Sequence, residues 1–349
     1  MLNERIGSGF SWRPWRIYAV GILFYCFAYL LRVYPGIFGH AIKAHLQIES
    51  NEVLFGWLAA MYYVGYAPMQ IPVGVCVDKL GPRFSLIIAC SVSIVGAFVF
   101  AVSDSVALSM LGRLLIGFGT AFSYVTALKL ASMWLPKRYF ATATGAVTAL
   151  GMTAAALSYN IPIQDVDAHL YSLVMLLPEA IGLVVLLLIV LIVRDRQADA
   201  EAGAEASAVS FAQLWSFLRE IVSHKQVWLI GMIGCFLYIP SSVFLDVYAK
   251  RYLMKVHGLG ASQAGLAIFL MFFGWIISSI ASGSVSDMLR NRKVLLILAG
   301  LLSCLFSLVL VLVPHLSVFS VYLVLFLLGA SCGPHPLCFA MSKENFPAH

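Results

Sequence analysis

Long apolar runs separated by short polar or charged stretches dominate the chain. The first extends from about Trp15 to Phe38 behind Arg5, Arg13 and Arg16, and others cover roughly 53–77, 84–103, 106–131, 139–160 and 170–193. After a polar stretch from Arg194 to Gln226, four more follow at roughly 227–249, 264–286, 293–313 and 317–340. A membrane-crossing helix needs about 20 predominantly apolar residues, so the pattern predicts an all-α polytopic membrane protein with ten spans. The first run is too long for a signal-peptide core and is read as a retained span. The polar stretch holds the low-complexity piece Ala198–Ala206 and the segment Phe211–Leu218, which reads as a flexible linker with a short interfacial helix. Three segments result: residues 1–193 with six spans, a cytoplasmic linker at 194–226, and 227–349 with spans seven to ten.

Composition supports the same class. With 61% apolar and 11% charged residues and a mean hydropathy of +0.93, the chain has too little polar surface to clothe a soluble domain of its length. The seven cysteines all fall in or at the ends of apolar runs without metal-like spacing, and read as small core residues. The net charge of +6 is spread over short loops, which argues against nucleic acid as a partner. With the N-terminus in the cytoplasm, fifteen Lys and Arg fall on that side and only Lys43, Lys250, Arg251 and Lys255 outside. That asymmetry sets the expected orientation. Arg32, Arg113 and Lys129 remain within spans.

One ten-residue stretch, Gly74-Val-Cys-Val-Asp78-Lys79-Leu-Gly81-Pro82-Arg83, joins the second and third spans. Gly81 and Pro82 supply a turn, Lys79 and Arg83 a basic loop, and Gly74 a place for a neighbouring helix to approach. Asp78 opposes the dipole of its own helix and is expected to answer a cation or another helix N-terminus. A second copy, Gly283-Ser-Val-Ser-Asp287-Met-Leu-Arg290, occurs 209 residues later, and Phe346-Pro347-Ala348 echoes Leu135-Pro136-Lys137. Together these make a parallel repeat around a polar linker.

The stretch Gly-x-x-x-Asp-Lys-x-Gly-x-Arg resembles the loop signature of the major facilitator superfamily, with Pro82 where that family usually has Arg or Lys. Arg113-Leu-Leu-Ile-Gly117-Phe-Gly119 and Trp134-Leu-Pro136-Lys-Arg138 with Thr144-Gly145 resemble two further motifs of that family. The resemblance covers nearly the whole chain and implies two parallel six-helix repeats, the second incomplete. The fifth span lacks the Gly-Pro pair of the family's drug/proton antiporters, so multidrug export is disfavoured. The segment Ala28–Ile37 is similar to the first span of a bacterial group related to lysosomal dipeptide carriers, and more loosely to organophosphate and organic-anion symporters.

Candidate site residues are the polar groups on the central spans. Tyr25, Tyr29 and Arg32 lie at i, i+4 and i+7 of the first span and share a face. A guanidinium beside Val33-Tyr34-Pro35-Gly36, where a helix break could open backbone groups, suits a carboxylate or phosphate. The alternative is that Arg32 pairs with a structural acid or snorkels outward. Tyr62 and Tyr66, Tyr124, and Tyr238 with Ser242 are candidate lining residues, or ordinary anchors near span ends. Asp246, on the face of Tyr238 and Ser242, reads as an outer gate. Arg113 with Gly117 reads as a gating pair or a snorkelled helix-end charge, and Lys129 as a snorkelled one. The loop residues Gly74, Asp78, Lys79, Gly81, Arg83, Gly283, Asp287 and Arg290 are conformational candidates. Glu179 and His335 are candidates for proton coupling, each with a structural alternative.

There is no Gly-x-x-x-x-Gly-Lys-Ser/Thr loop and no His/Cys/carboxylate set spaced for a metal, so no enzyme, nucleotide site or cofactor is expected. The sequence predicts a secondary transporter in a bacterial inner membrane, monomeric or dimeric. It would move a small anionic or zwitterionic organic solute by alternating access, with protons or another ion as the coupling partner. The rival from another class is a non-transporting solute sensor on the same fold. In the family, the Asp of the first loop motif meets an eleventh helix. Ten spans leave Asp78 without that partner, so weak or no activity as a monomer is expected of a carrier truncated after the tenth span.

Overall fold

A computed structural model describes residues 12–136, 139–159, 174–195, 219, 222–289, 291–338 and 341–342. Arg5, Lys137, Arg138, Arg290, the linker's 196–218 and 220–221, and residues 343–349 lie outside the described residues, and with them the expected interfacial helix at 211–218. In chain order the helices are α1 (Arg13–His45), α2 (Glu52–Met69), α3 (Pro72–Leu80), α4 (Pro82–Val102), α5 (Val106–Thr120), α6 (Phe122–Trp134), α7 (Phe140–Ser158) and α8 (Leu177–Ile192). After the linker come α9 (Lys225–Ile239), a π-helical turn (Pro240–Tyr248), α10 (Ala249–Val256), α11 (Ala261–Leu289), α12 (Arg292–Leu312) and α13 (Val318–Cys332). Each predicted apolar run therefore contains helix. By length and composition six stretches suffice to cross a membrane: α1, α4, α5 with α6, Lys225–Val256, Ala261–Gly283 and α12.

The helix ends follow from local chemistry. The side chains of Asn51 and Asn291 accept the backbone N–H of Leu54 and Val294 three residues on, and Ser317 caps α13 in the same way through Ser320 N–H. Between α3 and α4, Gly81 takes a positive φ of 78°, and Pro82 fills the first turn of α4 where no N–H is needed. His257, just past α10, is buried with Nε2 3.2 Å from Leu310 O. Burial pushes its pKa below the ordinary 6.5, against the smaller opposing effect of that contact.

Contacts group the chain into two bodies. The first comprises Met1–Leu31, Ser50–Gly151 and His169–Ala208, and the second Arg32–Glu49, Met152–Ala168 and Val209–His349. Within the first, α5 is gripped by backbone-to-backbone crossings. A Cβ on Gly65 would strike Leu114 O, one on Gly117 would strike Tyr62 O, and those on Gly96 and Gly112 would meet the opposing strands of α5 and α4 backbone. Only glycine permits such approach, and it is how apolar helices associate without a hydrophobic drive between them. The second body repeats the device between α11 and α13: a Cβ on Gly274 would strike Phe326 O, and one on Gly329 would strike Met271 O. Gly274 lies 209 residues after Gly65, the same offset as the two loop motifs.

Two sequence expectations are corrected here. Gly74 was expected to admit a neighbouring helix, but a Cβ placed on it meets nothing within 4 Å, and the same holds for Gly283. The loop's close approach comes instead at Gly81, where a Cβ would fall 3.1 Å from Asp195 Oδ2, because that residue carries the turn. Asp78 was expected to answer a cation or a helix N-terminus, and to lack the eleventh-helix partner that the family resemblance implies. Its Oδ1 lies 2.8 Å from Lys129 Nζ at the end of α6, since the lysine's four-carbon stem reaches it from the same end of the body. Both side chains are more than a third exposed, so this pair contributes no more than about 1 kcal/mol.

Candidate functional site

Pro35 organises the polar chemistry of α1. Lacking an N–H, it cannot bond the carbonyl four residues back, Leu31 O. That carbonyl instead accepts Arg113 Nη1 at 2.8 Å. Arg113 is 1% exposed, not snorkelled. Its guanidinium also lies over the rings of Tyr62 and Phe100, at 5.1 and 5.8 Å from the centroids, an arrangement that suits a weakly hydrated planar cation. The helix does not break at Pro35 as the sequence suggested. The non-helical residue is Phe38 (φ −107°, ψ 16°), three positions on, because the arginine satisfies the carbonyl that the proline frees.

Around Arg113 the first body gathers several predicted tyrosines. Tyr62 stacks with Tyr66 at 5.6 Å and 17°, and Thr120 Oγ1 lies 3.2 Å from the Tyr62 hydroxyl. Tyr25 packs edge-on against Tyr29 at 5.1 Å and, tilted at 44°, against Tyr124 at 5.5 Å. Gly151 of α7 makes room for this second group, for a Cβ there would fall 2.5 Å from Tyr25 Cε1. At the loop end, Arg83 donates its backbone N–H to Asp195 Oδ1 at 3.0 Å and its Nη2 to Val190 O at 2.9 Å, placing a cation at the C-terminus of α8. Glu179, in the first turn of α8, is 7% exposed, and among the described residues neither carboxyl oxygen has a hydrogen-bond partner.

The second body holds Arg32. Its Nε donates to Asp246 Oδ2 at 2.6 Å, and Nη2 lies 2.6 Å from the same oxygen. Nη1 donates to the hydroxyl of Tyr238, over whose ring the guanidinium also sits at 5.2 Å. Arg32 is 8% and Asp246 1% exposed, so a charge pair is removed from water here. The chain positions it through a π-helical turn: Pro240 opens the segment Pro240–Tyr248, whose widened helix carries Asp246. Gly36 then lies against that turn so closely that a Cβ would strike Asp246 O, and Tyr159 donates its hydroxyl to Leu245 O at 2.7 Å. Ser242 donates to Tyr238 O at 3.2 Å. His335, beyond α13, packs its ring 5.1 Å from Tyr238 and 6.3 Å from Trp275.

The structure thus joins Arg32, Asp246, Tyr238 and His335 in one cluster, and Tyr62, Tyr66 and Arg113 in another. Sequence reasoning did not single out Tyr159, which stands at the end of an apolar run between Ser158 and Asn160, or Trp275, which sits among apolar neighbours. Asp246 carried a signal, an acid in an apolar run six residues after a proline, but its pairing with Arg32 needs the fold. Of the motif copy, Asp287 lies in the α11 backbone. A separate hollow of about 870 Å³ between α9 and α12 is lined mainly by apolar side chains such as Leu229, Ile233, Phe236 and Leu301, and its surface suits acyl chains more than a charged solute.

A family model described as Major Facilitator Superfamily matches residues 15–349. The chain belongs to the Major Facilitator Superfamily. It is 22% identical over 289 residues to the "Probable sulfoacetate transporter SauU" of Cupriavidus necator, covering 79% of this chain and 65% of that one. It is 23% identical over 285 residues to the "Citrate-proton symporter" of Klebsiella pneumoniae, covering 78% and 63%. The chain therefore spans just under two thirds of the length of these two superfamily relatives. Its fold is similar to that of the xylose transporter XylE from E. coli, in a partially occluded inward-open conformation. The TM-score is 0.69 at 14% identity, covering 95% of this chain and 88% of that one.

Proposed function

We propose that the protein moves a small organic anion across a bacterial inner membrane by alternating access, driven by a proton gradient. The observation that carries the reading is Arg32. It is a buried guanidinium whose fork of N–H donors faces one acid, Asp246, and one phenol, Tyr238. A solute carboxylate or sulfonate has the geometry to take the place of Asp246 on the same fork of N–H donors. The two named relatives handle sulfoacetate and citrate, both acids, which favours an anion over a sugar or nucleoside. Added to the six long stretches, α2 with α3, α7, the sixteen residues of α8 and the fifteen of α13 complete, in this proposal, ten spans: six in residues 1–193 and four in 227–349, joined by a cytoplasmic linker at 194–226. The N-terminus lies in the cytoplasm, as the Lys and Arg asymmetry requires. Tyr25, Tyr29, Tyr62, Tyr66, Tyr124, Tyr238 and Ser242 contribute to solute binding. Lys79, Arg83, Arg113, Gly117 and the loop acids Asp78 and Asp287 serve the conformational change, and His335 is a candidate for proton coupling.

The test uses the purified chain in proteoliposomes with labelled citrate and, separately, sulfoacetate. Uptake is expected when a proton gradient is imposed and is expected to collapse with a protonophore. Arg32→Lys keeps the charge but loses the planar fork, and should weaken the affinity by about tenfold or more, since a charge-assisted hydrogen bond contributes about 1.5–3 kcal/mol. Unchanged affinity in that variant would remove Arg32 from the solute site. Uptake that ignores the gradient would make the protein a uniporter.

A further inference from the structure

Glu179 poses a physical problem that the solute site does not answer. Buried polar groups in native proteins are almost always hydrogen-bonded, and an exception calls for an explanation. Glu179 is 7% exposed, and among the described residues neither of its carboxyl oxygens has a hydrogen-bond partner. Its surroundings are tightly packed. One turn on, a Cβ at Gly182 would fall 2.7 Å from Ile94 of α4 and 2.8 Å from Phe27 of α1, and the Cys90 thiol faces the Gly182 carbonyl at 3.7 Å. Between Ser85 and Val102, α4 has no charged residue, and Cys90 is its one titratable side chain. Over Ile17–Leu31, α1 offers only Tyr18, Tyr25, Cys26 and Tyr29. Within those stretches neither helix offers a cation to pair with an ionised Glu179.

An ionised carboxylate in such a place costs far more than a neutral one, and the group responds by binding a proton. A purely structural acid would be expected to have been given a donor. An intramembrane carboxyl without one reads as a group whose charge changes during function. We propose that Glu179 is a proton-binding site of the carrier: it is protonated in the conformation described, and it releases that proton to water when the first turn of α8 becomes wet during the transport cycle. The O–H bond forms when the carboxylate takes a proton from water on one side of the membrane, and breaks when water on the other side accepts it. The coupling part of this inference rests on the anion-transport reading above; the protonation part does not.

The experiment uses the full chain with Glu179→Gln and Glu179→Asp. Infrared difference spectroscopy in lipid should show a protonated-carboxyl C=O band that vanishes in Glu179→Gln and shifts in Glu179→Asp. A spectrum identical in all three proteins would overturn the proposal, whatever the protein carries. Glutamine copies the neutral carboxyl in shape, so Glu179→Gln should fold as the parent does. Failure of that variant to fold would show that the ionised form is needed and would also overturn it. In proteoliposomes with citrate, Glu179→Gln should retain exchange of labelled for unlabelled citrate while losing most, at least tenfold, of the gradient-driven accumulation. Accumulation equal to the parent's would overturn the coupling role. Absence of citrate exchange in the parent itself, with the infrared result as expected, would count against the solute reading alone and uphold Glu179 as a protonated site.

Discussion

Asp246→Asn is expected to be the most destabilising single change in the second body. Asn keeps the shape but removes the charge that faces Arg32 Nε and Nη2 at 2.6 Å. Removing one partner of a buried ion pair leaves the other uncompensated, at a cost of about 3–5 kcal/mol. Tyr238 cannot make up the difference, because a neutral hydroxyl accepts one of the guanidinium's N–H groups and supplies no charge. Thermal unfolding in detergent is the measurement: the variant should melt well below the parent. Citrate or sulfoacetate, added at high concentration, should raise the variant's midpoint more than the parent's, since an anion would no longer compete with the Asp246 carboxylate for the guanidinium. A variant as stable as the parent would mean that water already reaches this pair.

The second large effect is expected at Arg113. Arg113→Met retains much of the side-chain volume but leaves Leu31 O without its donor and removes the cation from the rings of Tyr62 and Phe100. An orphaned buried acceptor costs about 1–3 kcal/mol, and a desolvated cation–π contact adds up to about 2 kcal/mol. A loss of about 2–4 kcal/mol should follow. The account makes a sharper statement about the cause. If Pro35 is what frees the Leu31 carbonyl, Pro35→Ala restores an N–H to it, and the penalty of Arg113→Met should shrink in the Pro35→Ala background. A double-mutant cycle read from unfolding should give a coupling of about 1 kcal/mol or more. Strict additivity would mean that the arginine is held by something other than the proline's missing hydrogen bond.

The helices were legible in the sequence because their signal is length and apolarity, which a bilayer imposes on any chain that crosses it. The loop motif and its copy revealed a repeat, and the recurrence of the Gly65 crossing at Gly274 has the same offset. What could not be read was which polar groups meet. Arg32, Tyr25 and Tyr29 share a face by periodicity, yet Arg32 bonds Asp246 and Tyr238 more than 200 residues away while Tyr25 packs on Tyr124. Arg113 gave no hint of its partner, because that partner is a backbone carbonyl freed by a proline on another helix. Gly74 illustrates the opposite failure: a glycine marks permission for close approach, and permission need not be used. Asp78 met Lys129 because a flexible lysine finds a nearby carboxylate at an exposed helix end, which spacing alone does not fix.

The central claim is that Arg32 binds the anion and that its bond to Asp246 is exchangeable, not structural. The most direct measurement is citrate and sulfoacetate transport by the charge-free double variant Arg32→Met with Asp246→Leu. Replacing a buried ion pair with apolar side chains of similar volume is often neutral or stabilising, so this protein should fold and insert. The account predicts stability near the parent's together with loss of saturable anion uptake. Transport by the double variant at the parent's affinity would contradict it, and would leave the pair as a structural clasp between α1 and the π-helical turn.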